Sequence, residues 1–250
     1  MKTVKTFSLL LIVLAGFASC TSTRSVQSLL NNLSVDLDYE LTSPVYEGER
    51  EKIVYLSPID SSKMEHYTQV TSSRILFLPF IFYNYGHKKF NIVLGEHTLT
   101  QPYREFLTDA LLAESNRSAC FSLTTNDKPS ITDYRLDVEI IRNKTLSGIQ
   151  EINTFGFFPT TSFVYTFNTN SYRVLPTSSD LEIAVSLKKN SLVLWEKNYT
   201  SQVQFDRGAY GDFVDTNEKC VVKMTQGLAL VTEQIVTAIC KDLNLILSVP

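Results

Sequence analysis

The chain has 250 residues, 44% of them hydrophobic, and a formal net charge of −3. That length and apolar content suit one sizeable globular domain, and the acidic balance argues against a nucleic-acid-binding protein, for which a basic stripe would be expected. Three histidines and four cysteines, with no two cysteines at metal-ligand spacing, argue against a zinc site; no metal and no cofactor is expected.

Residues 1–19 follow the three-part plan of a secretory signal. Lys2 and Lys5 are positive, Phe7 to Leu14 is apolar, and Ala15 to Ser19 is mostly small. A membrane span needs about 20 apolar residues, and this run is shorter. Cys20, directly after Phe17-Ala18-Ser19, resembles the lipobox cysteine of bacterial lipoproteins, with Phe17 standing where leucine is usual. The resemblance implies cleavage before Cys20 and diacylation of its sulfur, so that Cys20 becomes a lipid-bearing first residue. Each buried methylene contributes about 0.8 kcal/mol, so one acyl chain holds a protein marginally and two hold it stably. Thr21 follows the cysteine instead of an acidic residue, as in outer-membrane lipoproteins, and residues 20–24 lack the acidic cluster of surface-exported ones. The expected location is the periplasmic face of the outer membrane of a Gram-negative bacterium. Loss of Lys2 and Lys5 takes the formal charge from −3 to −5.

Residues 20–32 read as a lipidated polar tether and 33–250 as a single globular domain. Ser34 to Leu41 alternates like a strand, and Ile53 to Leu56 reads as a second short one. Ser57 to Ser73 is polar and reads as loop. Arg74-Ile-Leu-Phe-Leu-Pro79 is a near-continuous apolar run, the pattern of a strand buried on both faces. Phe80 to Gly95 is aromatic-rich and contains the turn signal Tyr83-Asn84-Tyr85-Gly86.

A helix follows, with Thr100 as cap, Pro102 in the first turn, an end near Ser115-Asn116, and a stripe of Leu99, Tyr103, Phe106, Leu107, Ala110 and Leu111. Strand Arg135 to Ile141 sends Leu136, Val138 and Ile140 inward; Leu181, Ile183, Val185 and Leu187 repeat the pattern. Residues 188–191 make a compact turn into Leu192 to Tyr199, predicting an antiparallel hairpin with half-buried Trp195. Between these strands Arg142 to Ser179 reads as a long insertion, of which Thr161 to Ser171 alternates like a strand. A final helix is expected from an Asn217 cap to about Leu243, burying Val221, Met224, Leu228, Val231, Ile235 and Ala238, and Leu245 to Val249 as a short strand or packed tail.

The order strand, helix, strand, strand, strand, helix from Arg74 onward resembles the small α/β domain of periplasmic accessory lipoproteins: the auxiliary lipoproteins of ABC-type transporters and the lipopolysaccharide-assembly and curli-secretion lipoproteins. The matching pieces are Arg74 to Pro79, Leu107 to Leu123, and Leu181 to Tyr199 with its Ser191-Leu-Val-Leu-Trp195-Glu-Lys. The resemblance implies an α+β fold: a small sheet in β-α-β-β-β-α order, two helices packed on one face, and aromatic-rich insertions. It also implies that segments 80–98 and 142–178 emerge together at one sheet edge. Their aromatics, Phe80, Phe82, Tyr83, Tyr85, Phe155, Phe157, Phe158, Phe163 and Tyr165, then form either a partner or ligand contact or an internal packed subcore. The same topology makes the two helices parallel, so Cys120 and Cys240 are the better candidates for a disulfide; three reduced thiols, Cys220 included, are the other reading.

No nucleophile elbow, phosphate loop or His-Glu-x-x-His motif occurs. Asp206, Asp212 and Asp215 lack the spacing of a calcium loop, and adjacent Glu96 and His97 do not make an acid–base pair by adjacency alone. The expectation is therefore a non-enzymatic, lipid-anchored accessory protein supporting envelope transport or assembly through protein–protein contacts. The alternative is a lipoprotein whose aromatic loops bind lipid or glycan. Replacing Cys20 tests the anchor: Cys20→Ala should move the protein from membrane to soluble fractions, and unchanged fractionation on ultracentrifugation would contradict lipidation.

Overall fold

The structure, a computed structural model, describes residues 34–60, 68–78, 82–126, 134–159 and 164–248. Among them one open sheet of eight strands and two helices form a mixed α/β fold. In chain order these are β1 (Lys52–Leu56), β2 (Thr68–Leu78), β3 (Phe82–Val93), α1 (Tyr103–Ser118), β4 (Phe121–Thr124) and β5 (Tyr134–Pro159). Then come β6 (Val164–Val174), β7 (Thr177–Lys189), β8 (Leu192–Phe205) and α2 (Phe213–Leu247). Among the described residues no helix is long and apolar enough to cross a membrane.

Strand β5, 26 residues long, is the spine. Its first half pairs with β1 in parallel and with β7 antiparallel; its second half pairs with β3 and β6, both antiparallel. β6 and β7 follow each other along the same side of β5, from Pro159↔Val164 at one end to Tyr134↔Lys189 at the other. The region expected as an insertion is therefore the continuation of β5 and its return strand. β2 pairs only with β3 among the described strands, at the end of the path β2-β3-β5-β1-β4. The apolar run at Arg74 is thus in an edge strand and not in the centre of the sheet, and Thr68 to Ser73, expected as loop, belongs to it. From β2 onward the order is β-β-α-β-β-β-β-β-α, longer than the expected one by β3, β4 and β6.

A β-bulge between Ile140 and Arg142 leaves one extra residue in β5 and flips the parity of the strand. Before it Leu136, Val138 and Ile140 are buried; after it Asn143, Thr145, Ser147, Ile149 and Glu151 are. The return strand compensates at residues 175–176, where β6 gives way to β7. The polar stretch after the bulge forms a hydroxyl ladder: Thr145 Oγ1 donates to Ser179 Oγ at 3.1 Å, and the Ser147 and Thr177 hydroxyls lie 2.7 Å apart. Small side chains here let α2 come close. Cys220 Sγ lies 3.4 Å from Ser147 Oγ, and Gly227 faces Ser179, whose hydroxyl occupies the place of a Cβ.

Helices α1 and α2 run parallel: Tyr103 and Thr232 share a hydrogen bond of 2.7 Å near one end, and the Asn244 amide bonds Ser118 O and Cys120 N–H at the other. The predicted α1 stripe is buried throughout. Pro102, not Thr100, is the N-cap; the Thr100 hydroxyl instead bonds Asp36. The cap of α2 is Asp212, whose carboxylate accepts from Asp215 N–H at 2.9 Å, so the helix starts earlier than Asn217. It also runs through Leu247, taking up the expected tail. Met224, Leu228, Val231 and Ile235 are buried as expected, with Val221 and Ala238 half-buried. The β7–β8 hairpin forms around Asn190 and Ser191, both at positive φ (50° and 69°), as two-residue hairpin turns require.

Residues 34–50 are a strap and not a strand. Val35 makes one isolated bridge with Leu99, and the strap then runs along α1. Tyr39 OH donates to Glu114 Oε2 at 3.1 Å, Arg117 Nε to Ser43 O at 2.5 Å, Tyr46 N to Arg117 O at 2.8 Å and Arg50 Nε to Ala119 O at 3.1 Å. The alternation of Val35, Leu37 and Tyr39 is real, but it seats them toward a helix.

The close approach of α2 sets a test. Alanine favours a helix interior over glycine by about 1 kcal/mol, yet a methyl group at Gly227 must displace the Ser179 hydroxyl from its bond to Thr145. Gly227→Ala should lower unfolding stability by about 1–2 kcal/mol in urea titration, as overpacking does, and adding Ser179→Ala should recover part of the loss. A stabilised single variant would refute the close packing.

Candidate docking surface

The helix α2 begins opposite the rung Glu151–Tyr172, where the Phe213 ring packs edge-on against Tyr172 at 5.1 Å. From there it runs back along the sheet, past Ser147 and Ser179 to Tyr199, which hydrogen-bonds Asp242 at 2.7 Å. Residues 152–159 and 164–171 therefore continue beyond the start of α2. Eight residues at about 3.3 Å each project roughly 26 Å. Ile152 to Phe155 are half-buried and Asn168 to Asn170 exposed.

Seven of the expected aromatic residues take backbone positions in this ribbon. Phe82 is the cross-strand partner of Phe157, which pairs in turn with Thr166; Phe158 pairs with Tyr165. Tyr83 lies opposite Gly156, Asn84 opposite Phe155, and Tyr85 opposite Thr154. Phe80, Phe163 and Cys20 lie outside the described residues. Phe167, an aromatic of the same segment, covers Gly156: its ring occupies the space a Cβ would take there. The two segments do come together, as adjacent antiparallel strands β3 and β5 and not as loops leaving a parallel sheet.

Strand edges add to this surface. Among the described strands, β2 pairs only with β3, and residues 164–171 of β6 pair only with β5. Farther along β6, Gly211 exchanges two hydrogen bonds with Tyr172, at 3.0 and 2.8 Å, and closes that edge. A projecting ribbon with unpaired main-chain groups can accept an added strand, and aromatic residues are enriched in protein interfaces.

The remaining candidates resolve into structural roles. Cys120, Cys220 and Cys240 are free thiols, so the candidate Cys120–Cys240 bridge is absent. Cys120 Sγ is directed to Asn244 O, one helical turn beyond Cys240, at 3.8 Å. Cys240 is buried beside Glu114, and burial together with that carboxylate pushes its thiol up to about 12. Asp212 caps α2, and Asp215 pairs with Lys219 at 2.7 Å. No group of three or more metal-ligating side chains occurs among the described residues. An open groove of about 270 Å³ lies between the strap and α1, lined by Leu37, Tyr39, Leu41, Gln101, Phe106, Asp109, Ala110 and Ala113.

On the face away from α2, the proximal half of the sheet carries an ion-pair ladder. Arg142 meets Asp180 at 3.1 Å and Glu182 at 3.4 Å; Asp137 is held by Lys188 at 2.6 Å, Arg135 at 2.8 Å and the Ser57 hydroxyl. Burial would raise the Asp137 pKa, but these three donors outweigh it and hold the carboxyl at about 2. A depressed pKa stabilises the folded state above the ordinary carboxylate range, and that contribution is lost as pH falls through the folded value. Stability of the wild type should therefore drop between about pH 4 and pH 2, and Asp137→Asn should flatten this part of the curve in urea titrations. Equal slopes would show that the ladder does not persist in solution.

No protein-family model matches the chain, and no curated protein matches it. Among solved structures it is similar to the crystal structure of protein XCC0632 from Xanthomonas campestris, of family DUF330, at 11% identity over 83% of this chain and 94% of that one, with a TM-score of 0.39.

Proposed function

We propose that this protein is a non-enzymatic accessory lipoprotein that docks onto an envelope transport or assembly complex through the projecting end of its β-ribbon. The observation that carries the reading is the continuation of β3, β5 and β6 past the start of α2, with aromatic rungs and open strand edges. A lipid on Cys20 would hold the domain at the periplasmic face of the outer membrane. From Cys20 to Ser34 the chain reaches at most about 50 Å when fully extended, which bounds how far Ser34 stands from that membrane. The resemblance of the sequence to the accessory lipoproteins of transport and envelope assembly supports the same role.

Site-specific photocrosslinking in intact envelopes tests this. Crosslinkers at Phe155 and Asn168, in the ribbon, should recover one defined transport or assembly complex by mass spectrometry, and a crosslinker at exposed Lys241 on α2 should not. Equal recovery from the two regions, or bulk porins alone, would overturn the reading.

A further inference from the structure

One row of β-sheet partners crosses the face away from α2. Lys89 of β3 pairs with Gln150 of β5, and Gln150 with Arg173 of β6. Opposed residues share a face, and neighbouring strands lie about 4.8 Å apart, so the lysine and arginine backbones flank Gln150 at about 10 Å from each other. Gln150 is only 5% exposed. Its Oε1 accepts two hydrogen bonds from Arg173, from Nε at 2.8 Å and Nη2 at 2.6 Å. With the amide oriented by those bonds, its Nε2 donates to His87 Nδ1 at 2.8 Å, which places the proton of the neutral ring on Nε2. The Arg173 guanidinium also lies over the Tyr210 ring, 4.7 Å from its centroid. Tyr210 is positioned by the bridge between its neighbour Gly211 and Tyr172.

Arg173 is thus fixed by an amide and a ring, neither of which carries charge. Arginine Arg142, farther along the same face, meets two carboxylates. Glu151, beside Gln150 in sequence, is 2% exposed on the side of α2, with Lys88 at 3.9 Å. Among the described residues the Nη1 amino group of Arg173 has no protein acceptor, and the exposed Lys89 ammonium has none either. A guanidinium held rigid but not neutralised keeps its full charge and a free edge of donors, the geometry that binds phosphate oxygens.

We propose that Arg173 and Lys89, organised by Gln150 and Tyr210, form an anion site for a phosphate group. The site does not depend on the docking role proposed above. It fits either free phosphate or a phospholipid headgroup, which carry the same acceptor oxygens.

The test follows the Arg173 Nε–H resonance in the purified full-length chain during separate titrations with inorganic phosphate and with short-chain phosphatidylglycerol below its micelle concentration. Saturable binding is expected for at least one. Response to phosphate identifies a soluble ligand, and response to the lipid alone identifies a headgroup. Binding to Arg173→Gln and Lys89→Gln, read by tyrosine fluorescence or calorimetry, should weaken roughly tenfold, as loss of a charged hydrogen bond does. The charge-matched Lys241→Gln should bind as the wild type. Lys89 is exposed, so its variant leaves the fold intact even where Arg173→Gln disturbs it. No saturable binding of either probe, or equal binding by the wild type and Lys89→Gln, would overturn the proposal.

Discussion

The pairing of the 26-residue strand β5 with its return strands constrains the rest of the molecule. A strand of that length keeps one face toward α2 only while both strands stay in step, because a slip of one residue exchanges the two faces. The bulge after Ile140 introduces such a slip in β5, and the break at residues 175–176 offsets it in the partner. Apolar residues therefore face α2 on both sides of the bulge, with Leu136, Val138 and Ile140 before it and Ile149 after it. Between them lie Thr145, Ser147, Thr177 and Ser179, buried and bonded to one another. Buried hydroxyls without partners would cost stability; paired with one another they let Gly227 and Cys220 approach the sheet. The direction of α2, and with it the length of ribbon left beyond the helix, follows from that contact.

The strap ties the N-terminal side of the domain to this frame. Glu114 is fully buried, an unfavourable place for a carboxylate unless hydrogen-bonded. Tyr39 OH and Ser118 Oγ, both at 3.1 Å, supply those bonds, and Tyr39 belongs to the strap. Burial and the Glu114 carboxylate push the Tyr39 hydroxyl above its ordinary range, so it remains a donor. Strap and helix are thereby joined through a buried polar contact as well as through Leu37 and Tyr39 packing.

Charge is divided along the face away from α2. Carboxylates and cations neutralise each other around Asp137 and Arg142, whereas neutral groups hold Arg173. The proximal half is charge-balanced, whereas the distal half carries the Arg173 guanidinium on the Gln150 amide and the Tyr210 ring. Both proposals for this protein use the distal half, one through the ribbon end and one through the Lys89–Arg173 row.

Much of the fold was legible in the sequence where the core is apolar and locally periodic. The stripe from Leu99 to Leu111, the inward set of Leu181 to Leu187 and the turn at Asn190-Ser191 follow from side-chain spacing and turn chemistry, which act between near neighbours in the chain. The continuation of β5 was not legible. After the bulge its buried positions are Asn143, Thr145 and Ser147, whose polarity and shifted parity erase the alternation that marks a strand. Nor did the apolar run at Arg74 announce an edge position, because pairing partners lie far away in sequence. Gln150 and Arg173 both fall in the segment expected as an insertion, and they meet only because β5 and β6 pair. Local periodicity and turn residues by themselves determine which segments can be helix or strand and which side of each is apolar. Register, strand order and the meeting of polar groups across strands were decided only by the tertiary structure, since they depend on contacts between residues that the chain separates.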